Sequence, residues 1–183
     1  TVPMGNAGIG GGLQAFGFKG GVGTTSRRVG DYTLGVLVAV NGGSAGALRL
    51  AGYPLPAGER EDGPQTFAMV VATDAPLIPR QLDRLAGRAA LGLARTGLWS
   101  PDTHEGLVLA FSTTGIVQEE REGPATDVRL MGEEGLYPLF AAGAYAAEEA
   151  VLDALLAAEE VEGLKGLLQT DWPEKARRFL DSQ

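Results

Sequence analysis

One hydroxyl side chain stands at a junction where chemistry is plausible: Thr66. It follows a polar segment, residues 55–63, that carries proline and glycine, and it opens an apolar, β-favouring run that ends at Asp74-Ala75-Pro76. The pattern therefore predicts that Thr66 lies where a surface loop enters a buried strand. Branched residues such as threonine also favour strands for packing reasons alone. The residue types by themselves leave both interpretations open, an ordinary strand residue and a reactive hydroxyl.

A second stretch with chemical potential is the glycine-rich segment K-G-G-V-G-T-T at residues 19–25. It differs by one residue from a phosphate-binding loop, because Thr24 stands where such a loop needs a second lysine to reach the phosphates. A phosphate loop must also open a helix whose N-terminus holds the anion. The residues from 28 to 41 are strand-like instead, so nucleotide binding is disfavoured.

The elements that position these residues are predicted from periodicity. Residues 13–19 alternate with period two between glycine-rich turns and predict a strand, and residues 47–50 predict a short one. Apolar residues spaced three and four apart predict amphipathic helices over residues 79–95 and 137–160. A strand is predicted over residues 107–114, a polar loop or hairpin over 115–134, and a last short helix from Asp171.

The composition narrows the classes of function. The 183 residues fit a single domain, 44% are hydrophobic, and no apolar run is long enough to predict a membrane span. A net charge of −8 disfavours nucleic acid and anionic membrane surfaces as partners. The absence of cysteine and the single histidine, His104, make a zinc site improbable. We expect no metal and no cofactor.

The order of the motifs resembles one family. The segments G-N-A-G-I-G at residues 5–10, G-F-K-G-G-V-G-T-T-S-R at 17–27 and Y-T-L-G-V-L-V-A-V-N at 32–41 precede the T-F-A-M-V-V-A-T-D-A-P run at 66–76. The helix R-L-A-G-R-A-A-L-G-L-A-R-T-G at 84–97 and the strand L-A-F-S-T at 109–113 follow. Together they resemble the L-aminopeptidase/D-amidase/D-esterase family, which includes the β-peptidyl aminopeptidases.

The resemblance implies roles for particular residues. Precursors of the family cut themselves before a Ser or Thr at the start of the 66–76 strand, so cleavage is expected between Gln65 and Thr66, with Thr66 as the N-terminal nucleophile. The Asn that closes the earlier strand donates to the oxyanion hole, and the matching residue is Asn41. Asn41-Gly42 is also a common hairpin signal, so a turn remains the alternative. Asn6 and Gly20 are expected to shape the substrate pocket through backbone contacts.

Three departures from the family pattern stand out. The residue before the nucleophile is usually Gly or Asn, and here it is Gln65. A Ser and an acid two positions later normally precede the L-A-F-S-T strand, but His104 and Gly106 occupy those positions. The nearest acid is Glu105, which we name as the candidate that orients the nucleophile, with a solvated loop carboxylate as the alternative. Members also carry a further N-terminal region, which residues 1–183 do not include.

The fold implied by the resemblance is a four-layer α/β/β/α sandwich with two packed sheets between helices. Residues 1–65 and 66–183 would be the two products of self-cleavage, assembled as a homotetramer. The expected activity is hydrolysis of N-terminal residues, small amides or esters. Two alternatives stay open, an acyltransferase of the ornithine acetyltransferase type and an uncleaved, inactive scaffold of the same fold.

Overall fold

The computed structural model describes residues 2–55, 66–98, 105–114, 128–163, 166–168 and Glu174. A 3-10 helix, Gly8–Gly12, leads into strands β1 (Gln14–Ala15), β2 (Phe18–Lys19), β3 (Gly21–Val29) and β4 (Tyr32–Asn41). Two short strands follow, β5 (Arg49–Leu50) and β6 (Tyr53–Pro54), and then β7 (Thr66–Thr73). The chain continues through helix α1 (Pro79–Arg95), β8 (Glu105–Ser112), helix α2 (Glu133–Leu156) and strands β9 (Val161–Gly163) and β10 (Gly166–Leu168).

A four-stranded sheet in the order β3-β4-β7-β8 forms the frame of the molecule. Strands β3, β4 and β7 pair antiparallel, whereas β7 and β8 pair parallel and are connected through α1. A parallel pair requires a crossover of this kind. The first residue of β7 therefore meets the first residue of β8, and both meet the end of β4.

Both long helices cover the same face of the sheet. The inward residues of β4 and β7 alternate with period two and are buried against the helices: Leu34, Val36, Val38, Val40, Met69 and Val71. Leu85, Ala89 and Leu93 of α1 and the alanine-rich side of α2 complete this core. The predicted helix over residues 79–95 is confirmed. The second helix begins four residues before the predicted residue 137 and ends at Leu156.

The glycines of the K-G-G-V-G-T-T segment serve close packing. The segment enters strand β3 and not a helix, so the disfavoured phosphate-loop interpretation is wrong. Gly23 faces α2, and a Cβ atom there would collide with the carbonyl oxygen of Ala150. Thr25, two residues further along, donates its hydroxyl to the carbonyl of Ala146 at 2.9 Å. The missing side chain therefore lets the helix backbone approach the strand.

Two predicted strands are divided by tight turns. Residues 13–19 form a hairpin of β1 and β2, because Phe16 and Gly17 both have positive φ, at 53° and 75°. This is the geometry of a two-residue turn of the type that suits hairpins. The strand-like run from residue 28 to 41 is likewise interrupted between Val29 and Tyr32, which pair directly. Period-two alternation continues through such turns and does not reveal them.

Other expectations have mixed outcomes. The strand predicted at residues 107–114 begins and ends two residues earlier in the structure, where β8 runs from Glu105 to Ser112. The short strand at residues 47–50 is present as β5. The residues between 114 and 128 and the predicted tail helix, apart from Glu174, lie outside the described residues. None of the helices in the described part of the chain has the length and apolar character needed to cross a membrane.

The opposite face of the sheet carries apolar side chains that the two helices do not cover. On β8, Leu107, Leu109 and Phe111 are 66%, 54% and 41% exposed. Their neighbours on β7 are Ala68, Val70 and Ala72, which are exposed or half-buried. Within the described residues the architecture is thus one four-stranded sheet with one helical layer, which is half of the expected four-layer sandwich, together with three two-stranded sheets, β1-β2, β5-β6 and β9-β10.

Candidate active site

Asn41 and Thr66 lie directly opposite each other on neighbouring strands. Asn41 is the last residue of β4, Thr66 is the first of β7, and the antiparallel register pairs the two. Val40, next to Asn41, and Met69, three residues after Thr66, are buried on the helix side of the sheet. Side chains alternate along a strand, so Asn41 and Thr66 share the face away from the helices. Directly opposed residues of an antiparallel pair have Cβ atoms about 5 Å apart, which is close enough for both to contact one small group.

The orientation of the Asn41 amide is determined by a backbone donor. The N–H of Gln14, in β1, donates to Oδ1 of Asn41 at 3.0 Å. A side-chain amide has one acceptor oxygen and one donor nitrogen. With the oxygen held by Gln14, the NH₂ group is the end of the amide that remains to donate. The alternative of a hairpin turn at Asn41-Gly42 is wrong, because β4 pairs next with β7 and the chain after Asn41 leaves the sheet.

Glu105 adjoins Thr66 from the other side. It is the first residue of β8, and the parallel register pairs it with Thr66. The backbone positions of Asn41, Thr66 and Glu105 therefore form one row across three adjacent strands, at one end of the sheet. Gln65 and His104 lie outside the described residues.

The departure at Gly106 has a structural reason. Gly106 pairs with Phe67, one step along the strands from Glu105 and Thr66. A Cβ atom on Gly106 would collide with the ring of Phe67. An acid at the family's usual spacing would therefore require the Phe67 ring to move. A shift of one residue along a strand also moves a side chain to the other face of the sheet, so Glu105 and Gly106 are not equivalent positions.

Asn6 and Gly20 have their polar groups engaged within the chain. The Asn6 amide donates to the carbonyl of Glu159 at 3.0 Å and accepts from the N–H of Glu159 at 3.2 Å, which attaches the N-terminal segment to the region after α2. The N–H of Gly20 donates to the Leu13 carbonyl at 2.8 Å. A Cβ atom on Gly20 would lie 2.5 Å from the carbonyl oxygen of Val40. A pocket role for either residue stays a prediction.

Lys19 is a residue near this end of the sheet that the motifs did not single out as functional. Its side chain is fully buried, and the ammonium donates to the carbonyls of Gly10, Leu13 and Gly20. Burial lowers the pKa of the Lys19 ammonium, because removal from water disfavours the charged form. A signal was available in the sequence, since Lys19 is the one charged residue in the apolar and glycine-rich stretch from residue 15 to 23.

The polar residues at this end of the sheet include a hydroxyl and an amide. No group of three or more His, Cys, Asp or Glu that could hold a metal ion occurs within the described residues. Acyl transfer in general uses a hydroxyl as nucleophile and an amide donor as one oxyanion contact.

Comparison with known proteins identifies relatives. The sequence matches the family model of peptidase family S58 over residues 1–169. It is similar to the β-peptidyl aminopeptidase BapA of Sphingosinicella microcystinivorans, with 39% identity over 191 residues, 90% of this chain and 48% of the relative. An uncharacterized aminopeptidase, ML1167, of Mycobacterium leprae is 33% identical, covering 90% of this chain and 52% of that protein.

Solved structures show the same similarity. The L-aminopeptidase D-Ala-esterase/amidase of Ochrobactrum anthropi, described as a prototype of the serine aminopeptidases and a variant of the Ntn hydrolase fold, matches with a TM-score of 0.84 and 37% identity. That match covers 99% of this chain and 53% of the solved one. The PH0078 protein of Pyrococcus horikoshii OT3 also gives a TM-score of 0.84, at 33% identity and with 53% of its chain covered.

These matches establish the family and part of its fold. The chain spans about half the length of the relatives it matches, and its mixed α/β structure corresponds to about half of the Ntn hydrolase fold seen in the Ochrobactrum enzyme. The family match extends over most of the residues. On that basis, the chain belongs to peptidase family S58.

Proposed function

We propose that the protein containing this chain is a self-processing aminopeptidase or amidase that uses Thr66 as an N-terminal nucleophile. The observation that supports this most directly is the pairing of Thr66 with Asn41, whose amide oxygen is held by Gln14. A hydroxyl and an oriented amide donor on the same face of the sheet are arranged for attack on a carbonyl carbon. Membership of peptidase family S58 supports peptide or amide bonds as the target.

Maturation uses the Thr66 hydroxyl once. Oγ1 adds to the carbonyl carbon of Gln65, the bond between that carbon and the Thr66 nitrogen breaks, and the nitrogen takes up a proton to become an α-amine. Gln65 is then held as an ester on Thr66. Water adds to the ester carbon, which releases Gln65 as a carboxylate and restores the hydroxyl. Residues 1–65 and 66–183 become separate chains of one folded unit.

Catalysis uses the same hydroxyl again. An α-amine has a reference pKa of about 7.7 to 8.0, so near neutral pH it can act as the general base for its own Oγ1. The substrate carbonyl is attacked, its amine leaves, and water hydrolyses the acyl-enzyme. The Asn41 NH₂ group stabilises the oxyanion in both steps. We assign to Glu105, which pairs with Thr66, the orientation of the α-amine.

The substrate class is a short peptide or a small amide or ester with a free amino end. The relatives include a β-peptidyl aminopeptidase and an L-aminopeptidase D-Ala-esterase/amidase. The reaction as written uses only side chains, the α-amine and water, and so calls for no cofactor. The proposal includes Asn6 and Gly20 as residues that shape the substrate pocket indirectly, through the backbone geometry that they maintain.

The exposed apolar face of the sheet supports the four-layer architecture. Leu107, Leu109 and Phe111 lie on the same face as Thr66, away from the helices. The relatives are about twice as long as this chain, which leaves enough polypeptide for a second sheet. We propose that this second sheet packs against the exposed face, places Thr66 between two sheets, and belongs to a protomer that assembles as a homotetramer.

The test is intact-mass spectrometry of the full-length protein beside its Thr66→Ala variant. We expect two fragments separated between Gln65 and Thr66 in the unmodified protein and one unbroken chain in the variant. Thr73→Ala is the matched control, because Thr73 lies at the other end of the same strand, and it should be cleaved normally. An unbroken chain in all three proteins would overturn the proposal and favour the inactive scaffold.

A further inference from the structure

The buried ammonium of Lys19 holds three separate stretches of backbone together. Its Nζ atom donates to the carbonyls of Gly10 at 2.6 Å, Leu13 at 3.2 Å and Gly20 at 2.6 Å. An ammonium group has three N–H donors, so these three acceptors use all of them. Gly10 belongs to the 3-10 helix, Leu13 precedes β1, and Gly20 connects β2 to β3. One side chain therefore determines how the glycine-rich N-terminal segment sits on the end of the sheet.

One of these contacts leads directly to the active site. The carbonyl of Leu13 and the N–H of Gln14 are the two ends of a single peptide group. A trans peptide group is planar, and its C=O and N–H point in opposite directions. The carbonyl end accepts from Lys19 and from the N–H of Gly20. The N–H end donates to Oδ1 of Asn41. A change at Lys19 is therefore transmitted to Asn41 through one rigid unit.

We propose that Lys19 is a positioning residue that holds the Asn41 amide in its oxyanion-stabilising orientation through the Leu13-Gln14 peptide group. The catalytic part of this inference depends on the proposed function, whereas the positioning part does not. The ammonium fixes the plane of the peptide group and polarises it, because a charged donor at the carbonyl strengthens the N–H at the other end as a donor. The Asn41 NH₂ group then faces the carbonyl that Thr66 attacks.

The position calls for a cation with several donors. Burying a charge is costly unless the charge is fully hydrogen-bonded, and the three backbone carbonyls meet that requirement. Methionine would occupy a similar volume with no donor, and the carbonyls of Gly10 and Gly20 would lose their contacts with Nζ. The Leu13 carbonyl would keep the N–H of Gly20. We therefore expect Lys19→Met to loosen the peptide group without removing β1.

The first measurement is a double-mutant cycle in the full-length protein. The values of kcat and KM are determined on alanine p-nitroanilides for the unmodified protein, Lys19→Met, Asn41→Ala and the double variant. We expect Lys19→Met to lower kcat about tenfold, less than the 100- to 1000-fold typical of removing an oxyanion donor itself, with KM changed less than twofold. In the Asn41→Ala background the same substitution should lower kcat less than twofold, because the group it positions is gone. An equal tenfold loss in both backgrounds would overturn the proposal.

A second measurement does not depend on catalysis. Residues 1–183 contain two asparagines, Asn6 and Asn41, and their side-chain amides can be followed by NMR after labelling with ¹⁵N-asparagine and assigned by substituting each with alanine. Lys19→Met should shift the Asn41 amide resonances and speed their hydrogen exchange. The Asn6 amide, which is bonded to Glu159 and not to the Leu13-Gln14 peptide group, is the internal comparison and should change less than Asn41. Unchanged Asn41 resonances would contradict the positioning role, whereas shifted resonances without Thr66-dependent hydrolysis would leave it intact and overturn only the proposed function.

A second variant covers the case in which Lys19→Met does not fold. Gln14→Pro removes the N–H that reaches Asn41 and keeps the buried lysine. The preceding residue, Leu13, already has φ −82° and ψ 145°, the extended conformation that proline favours in its predecessor. We expect a kcat loss of similar size with the same dependence on Asn41. Full activity in Gln14→Pro would show that the Leu13-Gln14 peptide group carries no positioning role.

Discussion

The two ends of the four-stranded sheet carry different sets of polar residues. The end defined by Asn41, Thr66 and Glu105 is the site end, and the end defined by Thr33, Thr73, Asp74 and Ser112 is the anchor end. They are the opposite ends of the same strands, about 23 Å apart along β7 at the usual rise per residue. At the site end, three polar residues lie in one row across β4, β7 and β8.

At the anchor end, polar side chains bond to backbone groups. The Thr73 hydroxyl donates to the Thr33 carbonyl at 2.8 Å and accepts from the N–H of Ala75 at 3.1 Å. The Asp74 carboxylate accepts from the N–H of Thr33 at 2.7 Å, and the Ser112 hydroxyl donates to the Ala75 carbonyl at 2.6 Å. The distinctive T-D-A-P and L-A-F-S-T motifs thus hold strand ends in place. They lie far from the proposed chemistry.

The largest expected loss of activity distinguishes Thr66 from Thr73, the two threonines of β7. Thr66→Ala removes the proposed nucleophile and should lower kcat/KM for alanine p-nitroanilides on the order of 10⁴-fold or more, as loss of a nucleophile does in other hydrolases. Thr73→Ala, its counterpart at the anchor end, should stay within about threefold of the unmodified protein. Comparable losses in the two variants would mean that the ends do not differ in the way proposed.

The next effect concerns the oxyanion donor. Asn41→Ala should lower kcat by about 100- to 1000-fold, because one preorganised donor typically contributes that much. KM should change little, since the donor acts mainly when negative charge develops on the oxygen. Steady-state kinetics on the processed enzyme measure this. A loss confined to KM would assign Asn41 to substrate binding.

A smaller effect, on stability, is expected at the anchor end. Thr73→Val keeps the side-chain shape and removes the hydroxyl that bonds to Thr33 and Ala75. Buried groups that lose a partner cost about 1 to 3 kcal/mol, so the free energy of unfolding should fall by about that amount in urea titrations. The value of kcat should stay the same at a temperature where the variant is folded. A drop in kcat without a drop in stability would couple the anchor end to the chemistry.

The smallest expected effect is a change in melting temperature, and it concerns an ion pair in the helical layer, away from both ends of the sheet. The hydrogen bond from Arg84 lowers the pKa of the exposed Glu133 carboxyl. A depressed carboxyl pKa stabilises the folded state above the pKa of the unfolded chain, and this contribution is lost as pH falls through the folded pKa. Glu133→Gln should therefore change the melting temperature very little at pH 7, and the difference from the unmodified protein should vanish in acid. A large change at pH 7 would mean that this ion pair matters more than its exposure indicates.

Helices and strands of this protein could be predicted where residue preference and apolar spacing indicate the same boundary. Helix α1 has its predicted bounds because Pro79 suits the first turn of a helix and the apolar spacing continues to Leu93. Strand β7 begins at Thr66 as predicted, because a polar segment changes abruptly to a β-favouring run. The hairpin at Phe16 and Gly17 was missed, because Phe16 has a positive φ and phenylalanine is not a residue type that indicates one.

The sequence by itself determined the family, the type of most long elements and the residues to examine. Motif order, apolar periodicity and residue preference are local properties, and they can be read from one chain. Only the tertiary structure decided which residues meet. Asn41 faces Thr66 because β4 and β7 pair in one register, and Glu105 adjoins Thr66 because β8 returns parallel to β7. Strand register depends on how distant segments pack on a shared core, as does the link from Lys19 to Asn41, so neither could be derived from local sequence.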